Sequence, residues 1–263
     1  MKVVIVLPTY NEKGNIQKLI PYLEEKVFAK IKNHQMNILV VDDNSPDGTS
    51  EEVKKLMKRY KNLKLNQGVK RGLGAAYMRG MNHAISEMNA KVLFMMDSDF
   101  FHDPNKIPDF LKKIDQGYDM VIGTRYSGGG SIPHNWQIHR KFLSVFGNAF
   151  LRIVLFRFYV HDWTGGFRAV KKDVFLKEKD KLKKYNGYTY LVAFLYEAIQ
   201  DGYKIAEVPF VASDRTYGHS KFTSASYMLK LLQYILGARL KEVSGKINNQ
   251  AAGERFSLSE NNI

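Results

Sequence analysis

The chain contains no cysteine. That excludes disulfides, thiolate metal sites and a cysteine nucleophile. No stretch of roughly twenty apolar residues runs without a charge, so no transmembrane helix is expected. The opening MKVVIVLPTYNE is interrupted too soon for a signal peptide. Familiar catalytic spacings are missing as well. None of the seven histidines stands in an HxH or HExxH pattern, and there is no GxSxG. Most of these histidines read as bystanders, and the common serine-hydrolase signature is absent. GxGxxG is absent, as is GxxxxGK followed by Ser or Thr, so neither a dinucleotide-binding fingerprint nor a P-loop is supported. Acids are scarce relative to bases: 26 Asp and Glu face 40 Lys and Arg, a net charge of +14. Such an excess suits phosphate-rich partners, whether nucleic acid, anionic lipid or a phosphorylated substrate.

What is present is an alternation. Four β-rich runs, VVIVL at 3–7, NILVV at 37–41, VLFMM at 92–96 and MVIG at 120–123, are separated by segments of helical spacing. The helical segments are Asn15 to Val27, Ser50 to Tyr60, Ala75 to Met88 and Pro104 to Ile114. Strand–helix alternation predicts an α/β fold: a mainly parallel sheet between two helical layers. Runs that are apolar throughout fit strands buried on both faces. Ligands of such sheets sit beyond the carboxyl ends of the strands, so the residues after each run matter most. They are Pro8-Thr9-Tyr10-Asn11-Glu12, then Asp42-Asp43-Asn44-Ser45-Pro46-Asp47-Gly48-Thr49, then Asp97-Ser98-Asp99, then Thr124-Arg125-Tyr126. Three ends carry acids and one an arginine. Acids gathered in one crevice call for a cation, a donor-rich ligand, or both.

Each motif has a narrower chemistry. Ser45-Pro46-Asp47-Gly48 is turn material and Thr49 or Ser50 can cap a helix, but this leaves Asp42 and Asp43 unexplained. Carboxylates there suit a base N–H or a ribose hydroxyl. KRGLGAAYMRG at 70–80 places bases and glycines before a helix start, where an anion is favoured. Asp97 and Asp99 flank one residue and suit a divalent cation that also takes diphosphate oxygens. RKFLSVFGNAFLRIVLFRF at 140–158 and ASYMLKLLQYILGARLK at 225–241 are apolar with interspersed bases. They fit core helices with snorkelling arginines or in-plane helices on a membrane. Residues 246–263 read as a mobile tail.

Taken in order, PTYNE, VDDNSPDGT, KRGLGAAYMRG, MDSD, GTRY, DWTGGFR and DRTYGHSKF resemble the motifs of the family 2 glycosyltransferases. They look most like the polyprenol-phosphate (dolichol-phosphate) mannose synthase branch, over residues 3 to about 222. The resemblance implies a GT-A fold, a Rossmann-like three-layer α/β/α sandwich, with amphipathic membrane-facing helices added. It implies a GT-A domain over 1–224, including an interface region at 137–158, then an amphipathic helix over 225–245. It also implies inverting transfer of mannose from GDP-mannose to a polyprenyl phosphate, aided by Mg²⁺ or Mn²⁺. By motif position, Pro8, Tyr10, Glu12, Asp42 or Asp43, Lys70, Ser98, Arg215 and Lys221 would hold the nucleotide sugar. Asp97 and Asp99 would hold metal and diphosphate. Arg125, Arg140, Ser144 and Arg168 would hold the acceptor phosphate, and Asp99, Arg125, Arg140 and Ser144 would carry the transfer itself. The implied protein is peripheral on the cytoplasmic face of an anionic membrane. It binds no nucleic acid, and a membrane-protein partner or a second copy of the chain is left open.

The residues depart from the resembled pattern in three places. Phe101 stands two positions after Asp99, where the family commonly has a polar residue. Leu191 and Ala193 replace the Gln and Glu of GYxFQxE, and TGGFR at 164–168 replaces TSGFR. These departures keep three alternatives open: another nucleotide sugar such as UDP-glucose, another acceptor, or a nucleotide-sugar-binding protein without turnover.

Overall fold

The structure is a computed structural model of the chain, and it describes residues 1–213, 229–240 and 242–244. Seven strands form one sheet: β1 (Lys2–Thr9), β2 (Gln35–Asp42), β3 (Leu63–Gln67), β4 (Val92–Met95), β5 (Met120–Thr124), β6 (Arg168–Lys171) and β7 (Ile205–Pro209). Their order across the sheet is β3-β2-β1-β4-β6-β5-β7. Every pairing is parallel except those of β6, which runs antiparallel to both β4 and β5. The four strands expected from apolar runs are present. β3, β6 and β7 were not expected; their polar residues (LKLNQ, RAVK, IAEVP) break the apolar-run signal.

Helices cover both faces: α1 (Lys13–Tyr22), α2 (Thr49–Arg59), α3 (Leu73–Ser86), α4 (Ile107–Asp115), α5 (Ile138–Val154), α6 (Lys172–Leu182) and α7 (Gly187–Gln200). A further helix covers 229–240 and 242–244, inside the 225–245 expected to be helical. Successive side chains along a strand point to opposite faces, and the core divides accordingly. Val4 and Val6 of β1 join α3, α7 and the C-terminal helix in one cluster. Val3, Ile5 and Leu7 join α1 and α4 in the other. Pro21 lies inside α1. It cannot donate its backbone hydrogen bond, and the helix loosens into a wide turn over Leu23–Val27. Gly80 lets α3 lie flush on the sheet, because a Cβ there would stand 2.6 Å from methyl groups of Val6 and Val41.

The reversal of β6 positions the site. A parallel strand brings its carboxyl end to the ligand edge, whereas a reversed strand brings its beginning. Residues 162–167, just before β6, therefore meet the ends of β4 and β5.

Candidate active site

The first half of the crevice is built at the ends of β1, β2 and β4. Thr9 pairs in register with Asp42. Asp42 is fully buried. It accepts hydrogen bonds from Thr9 Oγ1 (2.9 Å), Ser45 N (3.0 Å), Ser45 Oγ (2.5 Å) and Ser50 Oγ (2.7 Å). Its carboxylate is spent on shaping the 43–50 loop. Of the two acids expected to hold a nucleoside, Asp42 or Asp43, Asp42 is therefore set aside: a buried acid takes its donors where it finds them, and here the protein supplies them. Asp43 takes a different partner, the guanidinium of Arg79 at 2.8 Å. Arg79 was not foreseen, although it stands inside KRGLGAAYMRG; it also donates to Asn66 Oδ1 (2.9 Å).

The loop after β1 is laced to the loop after β2. Asn11 N donates to Ser45 Oγ, Glu12 N to Thr49 Oγ1 and Lys13 N to Asp47 Oδ2. Asn11 adopts a left-handed φ of 62°, a conformation that asparagine tolerates. Glu12 accepts from Asn15 Nδ2 at 2.6 Å. The Lys70 ammonium sits 3.3 Å above the Tyr10 ring, so two residues expected on the nucleotide side do meet. The α3 start is less open than its sequence suggested. Asn186 Oδ1 accepts from Gly74 N (2.8 Å), and Asn186 Nδ2 donates to Arg71 O (2.7 Å). This side chain takes a donor that an anion would have used.

The Asp97-Ser98-Asp99 loop lies beside Pro8, with Ser98 Oγ donating to Pro8 O at 3.4 Å. Asp99 is buried and its Oδ1 accepts from Phe101 N (3.1 Å). Asp97 is more open, with a side-chain exposure of 29%. His102, passed over as a bystander, is buried against Phe167 and accepts from Asp97 N through Nδ1 (3.0 Å). Its Nε2 lies 3.8 Å from Asp97 Oδ2. Behind the pair, the Tyr77 phenol is pushed well above its usual range, first by burial and then by the charge of Asp97, with Asp99 adding to it. Asp97 and Asp99, one open and one accepting a backbone N–H, carry the carboxylate oxygens that a hard divalent cation takes, although among the described residues no group of three acidic or imidazole side chains clusters as a metal site.

The second half of the crevice lies at the end of β5. Arg125 is buried, and Asp162 grips it in a bidentate pair: Nε to Oδ2 at 2.7 Å and Nη2 to Oδ1 at 2.8 Å. Burial alone would lower the Arg125 pKa, but the Asp162 carboxylate more than offsets this and holds it above its ordinary value. Arg125 Nη2 also donates to Thr164 Oγ1 (3.1 Å), and Ser144 on α5 meets the Tyr126 hydroxyl at 2.5 Å. Asp162 itself is fully buried and also accepts from Gly165 N (2.9 Å). It was not picked out from DWTGGFR, where the arginine drew attention instead.

Arg168 is the clearest correction. It is fully buried and donates to three backbone carbonyls: Gly165 (2.9 Å), Leu191 (2.7 Å) and Trp163 (3.0 Å). As the first residue of β6 it points into the core, and burial pulls its pKa down to about 10. It ties the 162–167 loop to α7 and presents nothing to an acceptor. Arg140 stands on α5 with its guanidinium 3.7 Å above the Trp136 ring. Arg215 and Lys221 lie outside the described residues.

Between α5 and the C-terminal helix lies a cavity of about 120 Å³. Arg125, Ser144, Asn148, Thr164 and Tyr188 belong to its polar lining, and Leu143, Phe150 and Ile235 to its apolar walls. The site thus has an acidic half beside a largely apolar pocket into which Arg125, paired with Asp162, and Ser144 face.

The glycosyl transferase family 2 model matches residues 4–177. The chain belongs to that family. It is 32% identical over 251 residues to the polyprenol monophosphomannose synthase of Mycolicibacterium smegmatis, covering 94% of this chain and 91% of that one. It is 32% identical over 249 residues to the dolichol-phosphate mannosyltransferase of Pyrococcus furiosus, covering 94% of this chain and 66% of the relative's length. Solved structures of glucosyl-3-phosphoglycerate synthase from Mycobacterium tuberculosis share the fold. The complex with uridine diphosphate superposes with a TM-score of 0.61 at 16% identity, over 90% of this chain and 80% of that one. The complex with Mn²⁺ and uridine-diphosphate-glucose gives 0.59 at 16% identity, over 91% and 78%. This glycosyltransferase therefore has the GT-A fold, as its motifs implied.

Proposed function

We propose that this glycosyltransferase moves mannose from GDP-mannose to a polyprenyl phosphate, with inversion at the sugar. The observation that carries this reading is the cavity beneath α5, where Arg125 and Ser144 share one space with leucine, isoleucine and phenylalanine walls. A ligand that matches it has a phosphate head and a hydrocarbon tail. The names of the relatives from M. smegmatis and P. furiosus describe acceptors of that class.

The nucleotide sugar occupies the acidic half, held by Pro8, Tyr10, Glu12, Asp43 and Lys70. Asp97 and Asp99 would hold Mg²⁺ or Mn²⁺, which when bound offsets charge on the diphosphate. Arg125 and Ser144, with Arg140, orient the acceptor phosphate. A phosphate oxygen attacks the anomeric carbon of mannose from the side opposite the diphosphate. The new carbon–oxygen bond forms as the bond to the β-phosphate oxygen breaks, and the electron pair leaves with GDP. The acceptor is already ionised at neutral pH, so no general base is needed. That suits a pocket made of arginine and hydroxyls.

Among the described residues no helix is long and apolar enough to cross a membrane. Phe142, Phe146, Ile153, Leu236 and Leu240 are nonetheless exposed on α5 and the C-terminal helix. Arg140, Lys141 and Arg152 lie among the α5 members of this set. Such a face suits in-plane attachment to an anionic cytoplasmic leaflet, where the lipid acceptor resides.

The test is a transfer assay with a short-chain polyprenyl phosphate and Mg²⁺ or Mn²⁺. GDP-mannose, UDP-glucose and UDP-N-acetylglucosamine are offered in parallel, with Asp99→Ala as control. Product from GDP-mannose, absent in the control, is expected. Product from another donor alone would overturn the sugar and keep the mechanism. Nucleotide binding without product from any donor would overturn the reading.

A further inference from the structure

Phe101 occupies a polar position of the resembled pattern, and the structure gives it a different occupation. Its ring lies parallel to the Trp136 ring, 5.9 Å away with an interplanar angle of 6°. The Arg125 guanidinium stands 5.9 Å from the centre of the Phe101 ring, and the Arg140 guanidinium stands 3.7 Å from that of the Trp136 ring. Each ring of the stacked pair thus carries its own guanidinium contact, Phe101 with Arg125 and Trp136 with Arg140. Guanidinium groups are attracted to ring faces, and the attraction grows as water is removed. Phe101 is buried and Trp136 partly so.

The same residue is tied to the acidic half. Phe101 N donates to Asp99 Oδ1 (3.1 Å), and Phe101 O accepts from Ser213 N (3.3 Å). The preceding residue, Phe100, has a φ of 62°. A bulky side chain rarely tolerates this conformation, and such strain persists where the surroundings enforce it. Here Phe100 is braced edge-on by Tyr22 at 6.0 Å. The strained turn brings the Phe101 amide back to Asp99 while its ring enters the stack.

We propose that Phe101 and Trp136 are positioning residues that set the spacing of Arg125 and Arg140. The proposal rests on the reading of the two arginines as acceptor-phosphate residues. In place of a polar side chain beside the aspartates, this chain has an aromatic bridge from the donor half to the acceptor half. The backbone link to Asp99 survives substitution of the ring, so removing the ring disturbs the arginines and leaves the aspartates in place.

The experiment compares the parent protein with Phe101→Leu, Trp136→Leu and Phe101→Tyr. It measures the KM for a short-chain polyprenyl phosphate, kcat, and the dissociation constant of GDP with Mn²⁺ by calorimetry. Loss of one desolvated cation–aromatic contact corresponds to a roughly tenfold change. The expected result is that Phe101→Leu and Trp136→Leu each raise the acceptor KM about tenfold, with the GDP constant unchanged, and that Phe101→Tyr restores the parent KM. Trp136 is partly exposed, so its variant tests the stack even if Phe101→Leu folds poorly. An acceptor KM unmoved in Trp136→Leu, or a GDP constant that weakens in parallel with it, would overturn the proposal. A parent protein that binds GDP but turns over no lipid phosphate would instead overturn the acceptor reading itself.

Discussion

Replacing Arg168 with methionine removes a buried cation of similar length and leaves the three carbonyls of Gly165, Leu191 and Trp163 without their donors. Each buried acceptor left unpaired costs about 1–3 kcal/mol, so the lost bonds amount to about 6 kcal/mol. Part of that is returned, because the cation is itself strained by burial. Its pKa falls to about 10 from an ordinary 12.5, a penalty of about 3 kcal/mol that methionine does not carry. The net loss is about 3 kcal/mol. For a chain of this size that lowers Tm by roughly 6 °C. Differential scanning calorimetry reads this directly, and GDP binding at low temperature, where the variant stays folded, is expected to change little. The reasoning is refuted if Arg168→Met melts with the parent while its acceptor KM rises sharply. That pattern belongs to an arginine facing a ligand.

Other substitutions separate shaping residues from binding residues. Asp42→Ala strands the hydroxyls of Thr9, Ser45 and Ser50 and is expected to cost about 3 kcal/mol in urea unfolding, whereas Asp43→Asn weakens GDP binding with a much smaller change in stability; nucleotide loss at unchanged stability in Asp42→Ala would contradict the assignment. Asp162→Asn breaks the bidentate grip on Arg125 and is expected to raise the acceptor KM about tenfold with GDP affinity intact, as steady-state kinetics would show. Glu178 is buried beneath Lys181, and burial, reinforced by the neighbouring Asp201 carboxylate and only partly countered by Lys181, pushes its pKa up to about 7 from an ordinary 4.5. A raised carboxyl pKa means that the folded state holds a proton the unfolded state has released, so this group's contribution falls as pH rises from about 4.5 through 7. Glu178→Gln is therefore expected to gain Tm over the parent progressively between pH 5 and pH 8, and a pH-independent difference would refute the assignment.

The donor half was legible because its signals are local. Each apolar run announces a buried strand, and the polar residues after VVIVL, NILVV and VLFMM stand where a parallel sheet places ligands. The acceptor half depends on contacts that no local pattern records. Arg168 looked like a phosphate ligand because it follows glycines in a motif. Only the pairing of β6 with β4 and β5 shows that its side chain enters the core. Asp162 was overlooked for the complementary reason: its importance lies in gripping Arg125, a residue 37 positions away. Asp42 and Asp43 are adjacent in sequence, yet one is saturated by hydroxyls and the other pairs with Arg79. Alternating side-chain direction along the end of a strand separates them, and counting carboxylates cannot.

The reversed strand divides the molecule's labour. Apart from Arg215 and Lys221, which lie outside the described residues, the residues named for the nucleotide side lie between Pro8 and Asp99, while Arg125, Ser144, Asp162 and Thr164 come later in the chain and gather around the beginning of β6. The two groups are joined across the sheet by the pairing of β4 with β6, which is four residues long. Loops on the later side touch the donor half where Trp136 stacks on Phe101 and Asn186 accepts from Gly74 N, and away from those contacts they can vary with less effect on how the donor is held. One donor platform can then be refitted with different receiving pockets, and a change of acceptor becomes a problem in loop engineering rather than in folding.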